Sequence, residues 1–143
     1  MTKEELRNII KKEGRSEDWN YKGIKCKLRR TIDDCWAGYV FFPKELLLDV
    51  GSNQLESLKF HGGITCNQQS DSGNVMIGFD CAHSSDLIPS LFLNFNIPDN
   101  GISTYKTKNF AISQCNSLVD QFFKISQVAL ISRDNVLKII LEN

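Results

Sequence analysis

The sequence has no net charge, no long apolar run and no closely spaced cysteine pair, and each absence removes a class of function. Lys and Arg together number 17 across 143 residues, as do Asp and Glu. Without a basic field nothing holds duplex DNA or RNA, whose binding is dominated by phosphate neutralisation. The longest apolar stretch, residues 87–95, is broken by Pro89 and Asn94. It falls well short of the ~20 apolar residues a membrane-spanning helix needs. The five cysteines (Cys26, Cys35, Cys66, Cys81 and Cys115) form no Cys-x-x-Cys pair, so a structural zinc knuckle is not expected. Their odd number, together with a charged start lacking an apolar leader, points to reduced thiols and a cytoplasmic protein. No internal repeat and no low-complexity segment is present.

What remains is an ordinary globular composition, 41% hydrophobic and 24% charged, in a length that fits one domain with a sizeable core. Residues 3–13 read as an amphipathic helix capped by Thr2, with Glu5 at capping-box spacing, Leu6, Ile9 and Ile10 as its stripe and Gly14 as its stop. Residues 15–20 are polar and are expected to be loose, with Trp19 as an anchor. Residues 21–30 alternate as a half-buried strand, in which Lys25, Lys27, Arg29 and Arg30 form a solvated face or a phosphate rim. Residues 31–34 are a turn, and 35–42 a second strand completing a hairpin. Pro43 opens a short helix to residue 48, and residues 51–53 are a loop. A third strand is expected over 58–66, interrupted by Gly62-Gly63. Residues 67–73 should be turn, 74–81 a fourth strand and 84–106 irregular. Residues 107–126 carry the strongest helical signal, Ala111, Cys115, Leu118, Phe122 and Ile125 recurring at steps of four and three. A final short helix is expected over 133–143, with Val136, Ile139 and Ile140 inward and a strand at 128–132 as an alternative. The sum is a single α+β domain: an antiparallel sheet of four or more strands with the long C-terminal helix packed on it. Residues 1–20 are its N-terminal helix and loose segment, 21–126 its core and 127–143 an extension.

Only two histidines are present, and both lie in compact polar motifs. One is His61-Gly62-Gly63-Ile64-Thr65-Cys66 and the other Gly78-Phe79-Asp80-Cys81-Ala82-His83-Ser84-Ser85-Asp86. Loop-borne polar groups on a rigid scaffold are where binding and catalysis are usually placed. Asp80, His83 and Asp86, with His61, are suited to hydrogen-bonding a polar ligand, to holding a divalent ion for hydrolysis, or to satisfying one another at turns. The Gly62-Gly63 amides and Thr65 can face a phosphate, although there is no Walker loop, or can serve a bulge. Trp36 and Tyr39 flank Gly38 and can stack a base or pack in the core. Cys81 as a nucleophile is disfavoured, because the neighbouring acid raises a thiol pKa.

The order Cys35-Trp36-Ala37-Gly38-Tyr39-Val40, Pro43, the two histidine motifs, Tyr105-Lys106 and a glutamine-bearing helix over 115–121 resembles a family of small bacteriophage and prophage proteins. The resemblance covers roughly residues 21–123. It departs at Ala37, where a cysteine-glycine pair is more usual, and in a longer tail. The family supplies little chemistry of its own. By class, a small neutral phage protein with a polar pocket is similar to those that sequester host immune nucleotide signals. The expectation is a non-enzymatic, cofactor-free and metal-free anti-defence sponge. It would bind a cyclic nucleotide or ADP-ribose-type signal through His61, Gly62, Gly63, Thr65, Asp80, His83, Asp86, Trp36 and Tyr39. A metal-dependent hydrolase of such a signal, or a protein-binding inhibitor presenting Phe92 and Phe95, are the alternatives. The apolar runs at 41–48 and 91–95 suggest a homo-oligomer.

Overall fold

A computed structural model describes residues 1–47, 50–64, 66–95, 97 and 99–142, with side chains except at Ser52, Asn53 and 128–142. Helix α1, Lys3–Glu13, opens on the expected capping box: the Glu5 N–H donates to Thr2 Oγ1 at 3.0 Å and the Thr2 N–H to Glu5 Oε2 at 3.3 Å. Gly14 stops it at φ +77°, and its N–H closes on the Ile10 carbonyl. Leu6 is the buried residue of α1 and packs with Leu87 and Phe92.

Five antiparallel strands follow: β1 Ser16–Tyr21, β2 Ile24–Arg30, β3 Trp36–Phe42, β4 Cys66–Gln69 and β5 Val75–Asp80, in the order β1-β2-β3-β5-β4. Residues 15–20, expected to be loose, form most of β1. Half of an edge strand faces water, so Ser16, Asp18 and Asn20 read as loop while Glu17, Trp19 and Tyr21 are half buried. The β1–β2 connection is a two-residue turn with Lys22 at φ +50° and Gly23 at φ +81°, whose twist matches that of paired strands.

Of the strand expected over 58–66, residues 58–64 form no strand, because Gly62 and Gly63 both take positive φ and make a turn, and Cys66 opens β4. The fourth strand in sequence, β4, takes Cys66 from the expected strand and residues 67–69 from the segment read as turn. It is a sheet edge with mostly exposed side chains, so it carries no apolar alternation. Three short helical pieces complete the connections. The segment after Pro43 is a 3-10 turn, Lys44–Leu47, with Leu48 outside the described residues. Helix α2, Ser52–Glu56, replaces an expected loop, and α3, Pro89–Asn94, lies in the stretch read as irregular.

Helix α4, Lys108–Glu142, crosses one face of the sheet. Ala111, Cys115, Leu118, Val119 and Phe122 are fully buried against Cys26, Leu28, Val40 and Ile77. Phe122 stacks on Phe42 with ring centroids 4.1 Å apart. Gly38 permits this approach, since a Cβ there would lie 2.8 Å from Cys115 Sγ and 2.6 Å from the Phe79 ring. The helix expected over 133–143 continues α4 without a break to Glu142, and residues 128–132 are helical. The inward placement of Val136, Ile139 and Ile140 falls outside the described side chains.

Arg30 was expected on the solvated face, but its side chain is 1% exposed. As the neighbour of Arg29 it points to the other side of β2, where its guanidinium lies 4.0 Å from the Trp36 ring centroid. It donates to the Asp34 carbonyl and to Tyr105 Oη and pairs with Glu13 at 3.2 Å. Glu13 also accepts from Tyr105 Oη, Trp36 Nε1 and the Lys108 N–H. This latch ties α1, β2, β3 and the start of α4 together. All five cysteines are free thiols.

Candidate functional site

The chain brings the two histidine motifs together. Asp86 is the hub: its side chain has no exposed surface, and His61 Nε2 lies 2.8 Å from both carboxylate oxygens. The His83 N–H donates to Oδ2 at 3.0 Å, and Lys106 Nζ lies 3.1 Å from Oδ1. With Asp86 ionised, Nε2 carries the proton that His61 donates. Burial pushes the Asp86 carboxyl up, but the hydrogen bonds from His61, the His83 N–H and Lys106 outweigh it and hold the group below the aspartate value of 3.8. The far side of His61 is fixed as well, by Gln114 Oε1 accepting its backbone N–H at 2.8 Å and by an edge contact with Phe110.

His83 lies across Gly62. A Cβ at Gly62 would fall 1.9 Å from His83 Nε2, so only glycine leaves room for the ring. The Gly63 N–H donates to the Phe60 carbonyl, which closes the turn. Asp80 Oδ1 approaches His83 Nε2 at 3.3 Å and accepts from the Ala82 N–H. The approach to His83 is too poorly aligned to count as a hydrogen bond, which leaves that buried nitrogen unsatisfied among the described residues. Thr65 lies outside the described residues. Cys81 is buried, its thiol pushed up to about 12 chiefly by desolvation and further by Asp86, which removes it as a nucleophile.

The two aromatics expected to sandwich a base cannot do so. Three residues apart on one strand, Trp36 and Tyr39 face opposite sides of the sheet. Trp36 is fully buried under Arg30, whereas Tyr39 faces away from α4. On that uncovered face lies an open groove of about 520 Å³. Its lining includes Tyr39, Phe41 and Met76 with Lys27, Arg29, Gln68 and Asp80. Asp80 thus links the groove to the histidine cluster. Lys25 and Lys27 each place an ammonium 5.4 Å from the Phe41 ring centroid, and Arg29 is drawn to Asp18 at 2.7 Å.

The strand alternation placed Lys27 and Arg29 on this face in advance, but nothing in the sequence put Phe41, Met76 or Gln68 beside them. Lys106 joins Asp86 from a segment with no local pattern. Among the described residues, no group of three or more His, Cys, Asp or Glu side chains is arranged to hold a metal ion. No helix among them is long and apolar enough to cross a membrane. No family model, curated protein or solved structure matches this chain.

Proposed function

We propose that this protein binds and sequesters a small nucleotide-derived ligand, without turning it over, in the groove on the uncovered sheet face. The carrying observation is the composition of that groove: aromatic rings for base stacking, Lys27 for phosphate, and Gln68 and Asp80 as hydrogen-bonding groups, in about 520 Å³. His83 stands behind the Asp80 end, with Nε2 3.3 Å from Asp80 and buried over Gly62, so it backs the groove and does not line it. His61 and Asp86 are positioning residues in this reading, since Asp86 is saturated by partners of its own chain. In this reading, which the resemblance to small phage proteins supports, the chain is a phage-encoded inhibitor of bacterial immunity that removes a nucleotide signal in the host cytoplasm.

The test is to incubate the purified protein with a panel of nucleotide signals, remove the protein by filtration and then release the bound fraction by heat. Depletion with intact recovered ligand is expected. Recovery of an altered ligand would make the protein an enzyme, and no depletion of any nucleotide would overturn the proposal.

A further inference from the structure

The uncovered face repeats itself at the pitch of a β-strand. In the observed register Lys25 stands opposite Phe41, which stands opposite Met76, which stands opposite Gln68. Two residues along, Lys27 stands opposite Tyr39, then Gly78, then Cys66. The third rung is Arg29, Ala37 and Asp80. Cations therefore form one row on β2 and rings form a parallel row on β3, each row stepping by about 6.7 Å, twice the rise per strand residue. Tyr39 fills the space above Gly78, where a Cβ would meet its ring at 2.6 Å. Gly78 thus lets the ring lie across the sheet toward β5.

We infer that the ligand is a linear oligonucleotide with at least two consecutive phosphates, laid along β2 and β3. This rests on the nucleotide-binding reading above and names its ligand class. Each of the first two rungs offers one ring for a base and, on the neighbouring strand, one cation for a phosphate. A single nucleotide uses one rung and leaves the other empty. A single strand that unstacks its bases onto protein rings lengthens its phosphate repeat from the ~3.4 Å of a duplex strand toward roughly double that, which is the pitch of the rungs. Closing the chain into a two-nucleotide ring removes the straight row of phosphates. Among the described residues Lys25 and Lys27 have no carboxylate within ion-pair distance, whereas Arg29 is paired with Asp18. The two lysines are therefore the phosphate contacts, and Asp80 and Gln68 flank the opposite side of the rings, where base edges lie. The neutral overall charge fits a short ligand held by two contacts and not a long polyanion.

Calorimetry on the full chain with three probes tests this: the linear trinucleotide ApApA, with two phosphodiesters, AMP, and a cyclic dinucleotide of adenosine. ApApA should bind at least about tenfold more tightly than either of the others. Its salt dependence should have a slope near −1.4 in log K against log salt, from about −0.7 per phosphate contact on a single strand, and Lys27→Met should reduce it to about −0.7. Tyr39→Ala should weaken ApApA by about tenfold or more without changing that slope. Circular dichroism of both variants distinguishes lost binding from lost fold. If AMP or the cyclic dinucleotide binds as tightly as ApApA, the linear-ligand inference falls while the nucleotide-binding reading stands. If no nucleotide in this set or the wider panel binds, both fall. Concentration-dependent dimerisation abolished by Phe41→Ser, with no nucleotide bound, would assign this face to a second copy of the chain and overturn the inference.

Discussion

At the residue scale, the paired glycines separate two kinds of constraint. Both take positive φ, +70° at Gly62 and +81° at Gly63, but only Gly62 lies against another side chain. Gly63→Ala meets nothing within 4 Å and should cost only the left-handed backbone penalty, about 1–2 kcal/mol. Gly62→Ala must also expel the His83 ring and should cost more than that by thermal melting. Equal losses would show that His83 does not rest on Gly62 in solution. Asp86 makes the second residue-scale prediction. Its folded pKa lies below its unfolded value, so its contribution is complete above the ordinary aspartate value of 3.8 and is lost as pH falls through the lower folded value. Asp86→Asn should destabilise the protein by about 3 kcal/mol near neutral pH. The gap between variant and parent should narrow in urea titrations below pH 4, about where free aspartate protonates. A gap that stays constant with pH would remove the ionised carboxylate as the hub.

At the element scale, α4 holds the sheet through a few large side chains, and its loss is unevenly distributed. Phe122 is fully buried and stacks on Phe42, so Phe122→Ala should cost about 3–5 kcal/mol through lost burial and the cavity left behind. Tyr39→Ala, on the uncovered face of the same sheet, should cost far less stability while weakening ligand binding by about tenfold or more. Denaturant titrations of the two variants in parallel check this. A Tyr39→Ala loss as large as that of Phe122→Ala would mean that the open face is part of the core.

At the scale of the whole molecule, apolar surface is left over after folding. Phe42 and Phe92 are buried, but Leu91, Phe95, Ile97 and Ile102 are 40%, 59%, 50% and 80% exposed. Exposed apolar side chains gathered on one stretch of chain mark contact surfaces more often than chance, and association of copies through this stretch is expected. Light scattering at micromolar concentration should give a mass above the 16.3 kDa of one chain; a clean monomer that still binds nucleotide would show that the groove of one chain suffices. Chelator treatment should leave binding unchanged, because the groove relies on cationic and aromatic side chains.

Periodicity and local chemistry in the chain were enough to determine much of this protein. The capping box of α1, the turn at 31–34, strands β2, β3 and β5, the buried stripe of α4 and the α+β class follow from spacings that any environment would read the same way. The association of His61 with the Asp80–Asp86 motif was legible as well, because two rare residues sat in matching polar loops. Tertiary structure alone decided the rest. Strands β1 and β4 lie at sheet edges, where half or more of the side chains face water and leave no apolar alternation to detect. Alternation turns Arg30 to the inner side of β2, but its burial there comes from Glu13 and Tyr105, partners distant in sequence. The groove exists because register sets Lys27 beside Tyr39 and Gly78, and because α4 covers only one of the two faces. Which face stays open is fixed by long-range packing, and no local pattern carries that choice.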